Sequence, residues 1–145
     1  MKLDDSIGFL INSTGRGVSL LLQSRFRQYG VTPEQWSILK RLEEEDGLTI
    51  KDLSIRVVKD QANVTRITDL LERRGFVHKR PNPHDKRSSI VMLSEEGRAI
   101  IPPLLQVEEE VQAIVRNGLT ELELTELQRI LVKLKEYISR QDLRE

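Results

Sequence analysis

The sequence predicts a mainly α fold that includes one short β hairpin, an α+β chain. Three observations predict it. Apolar residues recur three and four positions apart over long stretches, the spacing of a buried helix face. Helix-start signatures stand at Thr32-Pro33-Glu34-Gln35 and Thr120-Glu121-Leu122-Glu123. Two strand-like runs, Phe76 to Pro81 and Ser88 to Leu93, flank a polar loop rich in turn residues, Asn82 to Arg87.

The first helix is expected from about Asp5 to Gln28, with Ile7, Leu10, Ile11, Val18, Leu21 and Leu22 on one face and Gly30 as its stop. Thr32 caps the second helix and Pro33 suits its first position, where a missing N–H costs nothing. Trp36, Leu39 and Leu42 point inward, and the helix ends near the acidic run Glu43 to Asp46. Thr49 caps a short third helix with Ile50, Leu53 and Val57 inward. Asp60 caps a fourth, ending near Arg74 and Gly75, whose inner stripe is Val64, Ile67, Leu70 and Leu71. The hairpin follows. Ser94-Glu95-Glu96 opens the fifth helix, with acids where the helix dipole favours them. Pro102-Pro103 should kink or restart it, because neither can donate a backbone hydrogen bond. The sixth helix places Leu127, Leu131, Leu134 and Ile138 at near-heptad spacing.

A length of 145 residues suits one domain, residues 1–145. Without cysteine there is no disulfide, thiolate zinc site or thiol redox sensor. No apolar run is long enough to suggest a membrane span, and acids precede any apolar stretch at the N-terminus, so no secretory signal is expected and a cytoplasmic location is. Net charge is zero, but its distribution is uneven. Residues 49–93 hold ten Lys/Arg and five Asp/Glu, a net of +5, and the rest carries −5. A phosphate backbone would be drawn to that central island.

The island reads as short helix, turn, helix, hairpin, the order of a winged helix-turn-helix with a two-stranded wing. In such a lobe, spanning 32–93, the second helix of the pair enters the major groove. The fourth helix leaves Gln61, Asn63, Thr65, Arg66, Asp69 and Arg73 on its outer side, and Ala62 joins Gln61, Asn63, Thr65 and Arg66 as base-reading candidates of its first turns. Asn and Gln pair bidentately with adenine, Arg with guanine, and a small Ala permits close approach to a thymine methyl. Lys51 on the preceding helix adds a cation. Taken alone, this is also how any solvated amphipathic helix looks. The hairpin tip adds Asp85-Lys86-Arg87. Asp85 is placed to hold the Arg87 guanidinium, and a preoriented arginine suits the negative potential of a narrow minor groove.

These segments carry a resemblance. Leu70-Leu71-Glu72-Arg73-Arg74-Gly75-Phe76-Val77, Pro83-His84-Asp85-Lys86-Arg87-Ser88 and Leu93-Ser94-Glu95-Glu96-Gly97 resemble, in order and spacing, the helix end, wing and next-helix start of the MarR (multiple antibiotic resistance regulator) family. Thr32 to Trp36 resembles the family's second-helix start, and the likeness covers roughly residues 5–140. The resemblance implies a sequence-specific double-stranded DNA-binding transcriptional regulator, a repressor released from DNA by a small-molecule effector. It implies a homodimer joined through residues 5–30 and 94–140, and hence a pseudo-palindromic operator. By matching position, Asn63, Thr65 and Arg66 fall in the recognition segment, and Asp85 and Arg87 in the wing. The effector would be a small aromatic or phenolic ligand, with Arg16 pairing its acid group and Phe26, Tyr29 and Trp36 forming an apolar wall; the other reading of these residues is a solvated surface charge and aromatics that pack the core.

No motif argues for catalysis, a cofactor or a metal. His78 and His84 lack metal-ligand spacing, and no phosphate-binding glycine loop is present. The alternative reading is a winged helix used only for protein–protein contact, which would need no exposed arginine at the wing tip.

Overall fold

Most helix-start signals act as the sequence suggests. In the computed structural model, which describes residues 1–142, Ser6 Oγ accepts from the Phe9 N–H and opens α1 (Ile7–Phe26). Thr32 and Gln35 form a reciprocal capping box at the head of α2 (Pro33–Glu44). Thr49 caps α3 (Ile50–Arg56) and Asp60 caps α4 (Gln61–Arg73). The Ser94 hydroxyl accepts from the Gly97 N–H at the start of α5 (Glu95–Asn117). Thr120 and Glu123 close a second capping box before α6 (Glu121–Asp142).

The hairpin strands are β2 (Val77–Asn82) and β3 (Asp85–Leu93), and a short β1 (Leu48–Thr49) pairs with the far side of β3. The antiparallel order is β1-β3-β2, with Leu48 opposite Val91 and Val77 opposite Leu93. The expected two-stranded wing is thus anchored by a third strand. A two-residue strand carries too little pattern to be read from sequence.

The chain divides into two compact units, residues 1–108 and 109–145. In the first, α4 packs on α2 and α3, and the core is built from Phe26, Ile38, Leu39, Leu42, Leu53 and Leu71. The second comprises the end of α5 and all of α6.

Three expectations need correction. On α1, only Leu22 of the expected stripe is buried, whereas Ile7, Leu10, Ile11 and Leu21 are exposed. The periodicity is real, but none of the described residues covers that end. On α4, Leu70 is exposed, because the buried stripe is carried by Val64, Ile67, Thr68 and Leu71. Finally, of the expected kink or restart at Pro102-Pro103, the restart does not occur, since α5 is one helix through the pair. A helix-interior proline costs about 3 kcal/mol. Buried Ile101, Leu104 and Val107 flank the pair, and each such side chain is worth about 1.5–3 kcal/mol. The residues four positions before the prolines, Arg98 and Ala99, are exposed, so water can satisfy their carbonyls.

Candidate nucleic-acid interface

The α3–α4 turn is tight. Val57 and Lys59 donate backbone N–H groups back to Leu53 and Ser54, both at 2.9 Å, and Val58 between them has φ 56°. A β-branched residue in the left-handed region is strained by about 1–2 kcal/mol. The turn delivers Asp60 to the head of α4. One carboxylate oxygen accepts the Asn63 backbone N–H at 2.8 Å, and the other accepts the Asn63 side-chain Nδ2–H at 2.8 Å. The donated Asn63 backbone N–H holds the Asp60 carboxyl below the usual carboxylate range. Further along, the Thr65 hydroxyl donates to the Gln61 carbonyl at 2.9 Å.

The electrostatics of α4 follow from where its acids turn. Asp69 pairs with the Lys79 ammonium, and Glu72 accepts the Lys79 backbone N–H at 2.9 Å. Both acids thereby tie α4 to β2, and the second satisfies an edge-strand donor that no neighbouring strand reaches. The outer cations Arg66 and Arg73 remain exposed, with no ion pair among the described residues. Arg74 has a different task. Its guanidinium bonds the Gly30 and Tyr29 carbonyls and lies 4.7 Å from the centre of the Phe76 ring, clamping the turn after α1.

At the hairpin tip the Asp85 carboxylate accepts the Arg87 backbone N–H at 3.0 Å. It makes no ion pair with the Arg87 guanidinium, contrary to expectation. A carboxylate two residues ahead forms an Asx turn with the backbone, which orders fewer rotors than capturing a flexible guanidinium. Asp85 therefore shapes the turn, and Lys86 and Arg87 are exposed beyond it.

The structure brings several of the sequence candidates together. Lys51, Gln61, Thr65 and Arg87 line one groove of about 500 Å³ between α3, α4 and the hairpin. Ala62, Thr65, Arg66 and Arg73 line a second, of about 240 Å³, on the outer side of α4. Asn63 and Lys86 are exposed and line neither.

The effector candidates are not brought together. Phe26 and Trp36 are core residues with ring centroids 5.8 Å apart, and the Trp36 indole N–H donates to Glu108 at 2.9 Å. Arg16 instead lines an open pocket of about 160 Å³ with Ser19, Gln23, Thr32 and Glu34. Aromatic spacing on a helix marks a core as readily as a ligand wall.

Supporting residues went unread in the sequence. Asp46 accepts the Leu93 N–H at 3.0 Å and pairs with Arg98, joining the end of α2 to the end of β3 and the start of α5. Asp46 was visible as the end of the acidic run that closes the second helix, but its distant partners were not. Gly97 is packed so closely that a Cβ there would lie 2.0 Å from the Phe76 carbonyl oxygen. Among the described residues no group of three acids or histidines could hold a metal ion, and no helix is long and apolar enough to cross a membrane.

A helix pair presenting free cations beside a strand-anchored hairpin defines the lobe as a winged helix-turn-helix. Residues 31–89 match the family model described as MarR family. The chain is 26% identical over 109 residues to the HTH-type transcriptional regulator SarZ of Staphylococcus haemolyticus, covering 75% of this chain and 74% of that protein. It is similar to a probable transcriptional regulator from Pseudomonas aeruginosa, with TM-score 0.84, 28% identity, and 92% and 99% of the two chains covered. It is also similar to a MarR variant from E. coli in complex with operator DNA, with TM-score 0.82, 28% identity, and 88% and 92% covered. Residues 31–89 thus resemble the MarR family, and the proteins this chain is similar to are transcriptional regulators.

Proposed function

We propose that this protein is a sequence-specific double-stranded DNA-binding regulator, acting in the cytoplasm as a homodimeric repressor that a small-molecule effector releases. The observation that carries the DNA reading is the groove in which Lys51, Gln61, Thr65 and Arg87 meet, beside exposed Arg66 and Arg73. Donors for base edges and cations for phosphate stand on one lobe. The E. coli relative bound to operator DNA supports the same reading. In the proposed complex, Gln61, Ala62, Asn63, Thr65 and Arg66 would face bases, Lys51 and Arg73 the backbone, and Lys86 and Arg87 a minor groove.

Dimerisation through residues 5–30 and 94–140 is supported by uncovered apolar side chains: Ile7, Leu10, Ile11 and Leu21 on α1, and Leu127, Ile130, Leu131 and Ile138 on α6. Two-fold symmetry then implies a pseudo-palindromic operator with half-sites about one DNA turn apart. Arg16, in its polar pocket, is the cation for an acidic aromatic effector. The test is a gel shift with DNA from upstream of the protein's own coding region, against scrambled duplex, at physiological salt. Preferential retardation of the upstream fragment is expected. Equal retardation of both, or none of either, would overturn sequence-specific binding.

A further inference from the structure

The exposed Asp60–Asn63 pair makes more contact than a helix cap needs. Capping requires one carboxylate oxygen on the Asn63 backbone N–H, and that bond is present at 2.8 Å. The second oxygen is spent on the Asn63 side chain, also at 2.8 Å. This second bond fixes an orientation. An ionised carboxylate only accepts, so the amide must turn its NH₂ group, not its oxygen, towards Asp60. One amide proton is engaged, while the oxygen and the other proton stay available on an exposed side chain. Oxygen and N–H side by side are what adenine matches in the major groove, through its N6 amine and N7.

We propose that Asp60 is a positioning residue for base reading: by holding one side-chain N–H of Asn63, it presents the rest of that amide as an adenine-reading edge. The inference rests on the DNA-binding reading and goes beyond it, assigning one base of each half-site and the residue that sets it. Free asparagine amides sample both orientations, and the wrong one offers the edge reversed. Asp60 removes that choice before DNA arrives, so the ordering cost is not met at binding. Its negative charge opposes phosphate, so a purely electrostatic design would have placed a neutral cap there.

The test compares the full-length wild type with Asp60→Asn and Asp60→Ser, selecting from a library of randomised duplexes. Both substitutes remain good caps, so thermal melting should change little. Asn at position 60 turns a donor towards Asn63 and reverses its amide. Ser keeps the cap but is too short to reach the amide. The wild type should enrich a two-fold symmetric motif with adenine at one position per half-site. Both variants should lose preference for that adenine about five-fold or more, the lower end for one bidentate contact. Affinity for random duplex should hold or rise, because an anion has been removed. A wild-type motif lacking such an adenine, or variants that weaken every sequence equally, would overturn the positioning role. A wild type that enriches no motif would instead overturn the DNA-binding reading itself, and this inference with it.

Discussion

Helix α4 leaves one face uncovered and α6 is exposed along its length, and what the two present has opposite chemistry. The outer side of α4 offers Gln61, Asn63, Thr65, Arg66 and Arg73, polar or cationic groups held over a well-buried inner stripe. Helix α6 offers Leu127, Ile130, Leu131 and Ile138. Water tolerates the first face and disfavours the second. An exposed polar face is ordinary, and acquires meaning only because its acids are turned away to the hairpin while its cations stay free. A run of exposed apolar residues needs a cover whatever the protein does. One face is therefore built for a charged, hydrated partner and the other for an apolar one. We assign them to DNA and to a second copy.

The largest way to break this contrast is to make the second face like the first. Leu127→Lys combined with Leu131→Lys should convert the dimer to monomer, read as a halved mass by light scattering at micromolar concentration. Losing the second lobe removes bivalent binding, so operator affinity should fall about a hundred-fold or more. A double variant that stays dimeric would place the interface elsewhere.

A smaller effect separates the faces through their scaffolds. The α4 face depends on the lobe in which α5 begins against the Phe76 carbonyl, with the Ser94 N–H bonded to that oxygen at 3.1 Å. Gly97→Ala would drive a methyl into it. Relief requires moving backbone, at a cost of about 3 kcal/mol or more, a loss of roughly 10 °C in Tm for a chain of this size. The check is a thermal melt. An unchanged Tm would mean that the α5 start is free to shift.

What could be read in advance follows the range of each interaction. Thr32, Thr49, Asp60 and Thr120 were legible as caps because a cap and its partner lie three residues apart. The hairpin was legible from its turn residues, and the α4 face from helical period. Asp46 with Leu93 and Arg98, Arg74 with Gly30, and Trp36 with Glu108 join residues more than forty positions apart, and no local pattern announces them. Asp85 shows a subtler gap. Its link to Arg87 was readable, but whether it grips backbone or guanidinium depends on geometry that spacing alone leaves open. Phe26 and Trp36 illustrate the reverse, chemistry suggestive of a ligand wall that burial assigns to the core.

The central claim is that α4 reads sequence while the wing tip supplies charge. It is tested most directly by measuring Arg66→Ala and Arg87→Ala beside the wild type, by fluorescence anisotropy, on operator and random duplex at two salt concentrations. Arg66→Ala should weaken operator binding by about 1–3 kcal/mol and leave random-duplex binding nearly unchanged. Arg87→Ala should weaken both and make the salt dependence shallower, by about one unit for each phosphate charge no longer neutralised. Asp85→Ala should act on Arg87 only through the turn, since its bond is to backbone. Equal losses on operator and random DNA for Arg66→Ala, with an unchanged salt slope for Arg87→Ala, would contradict the account.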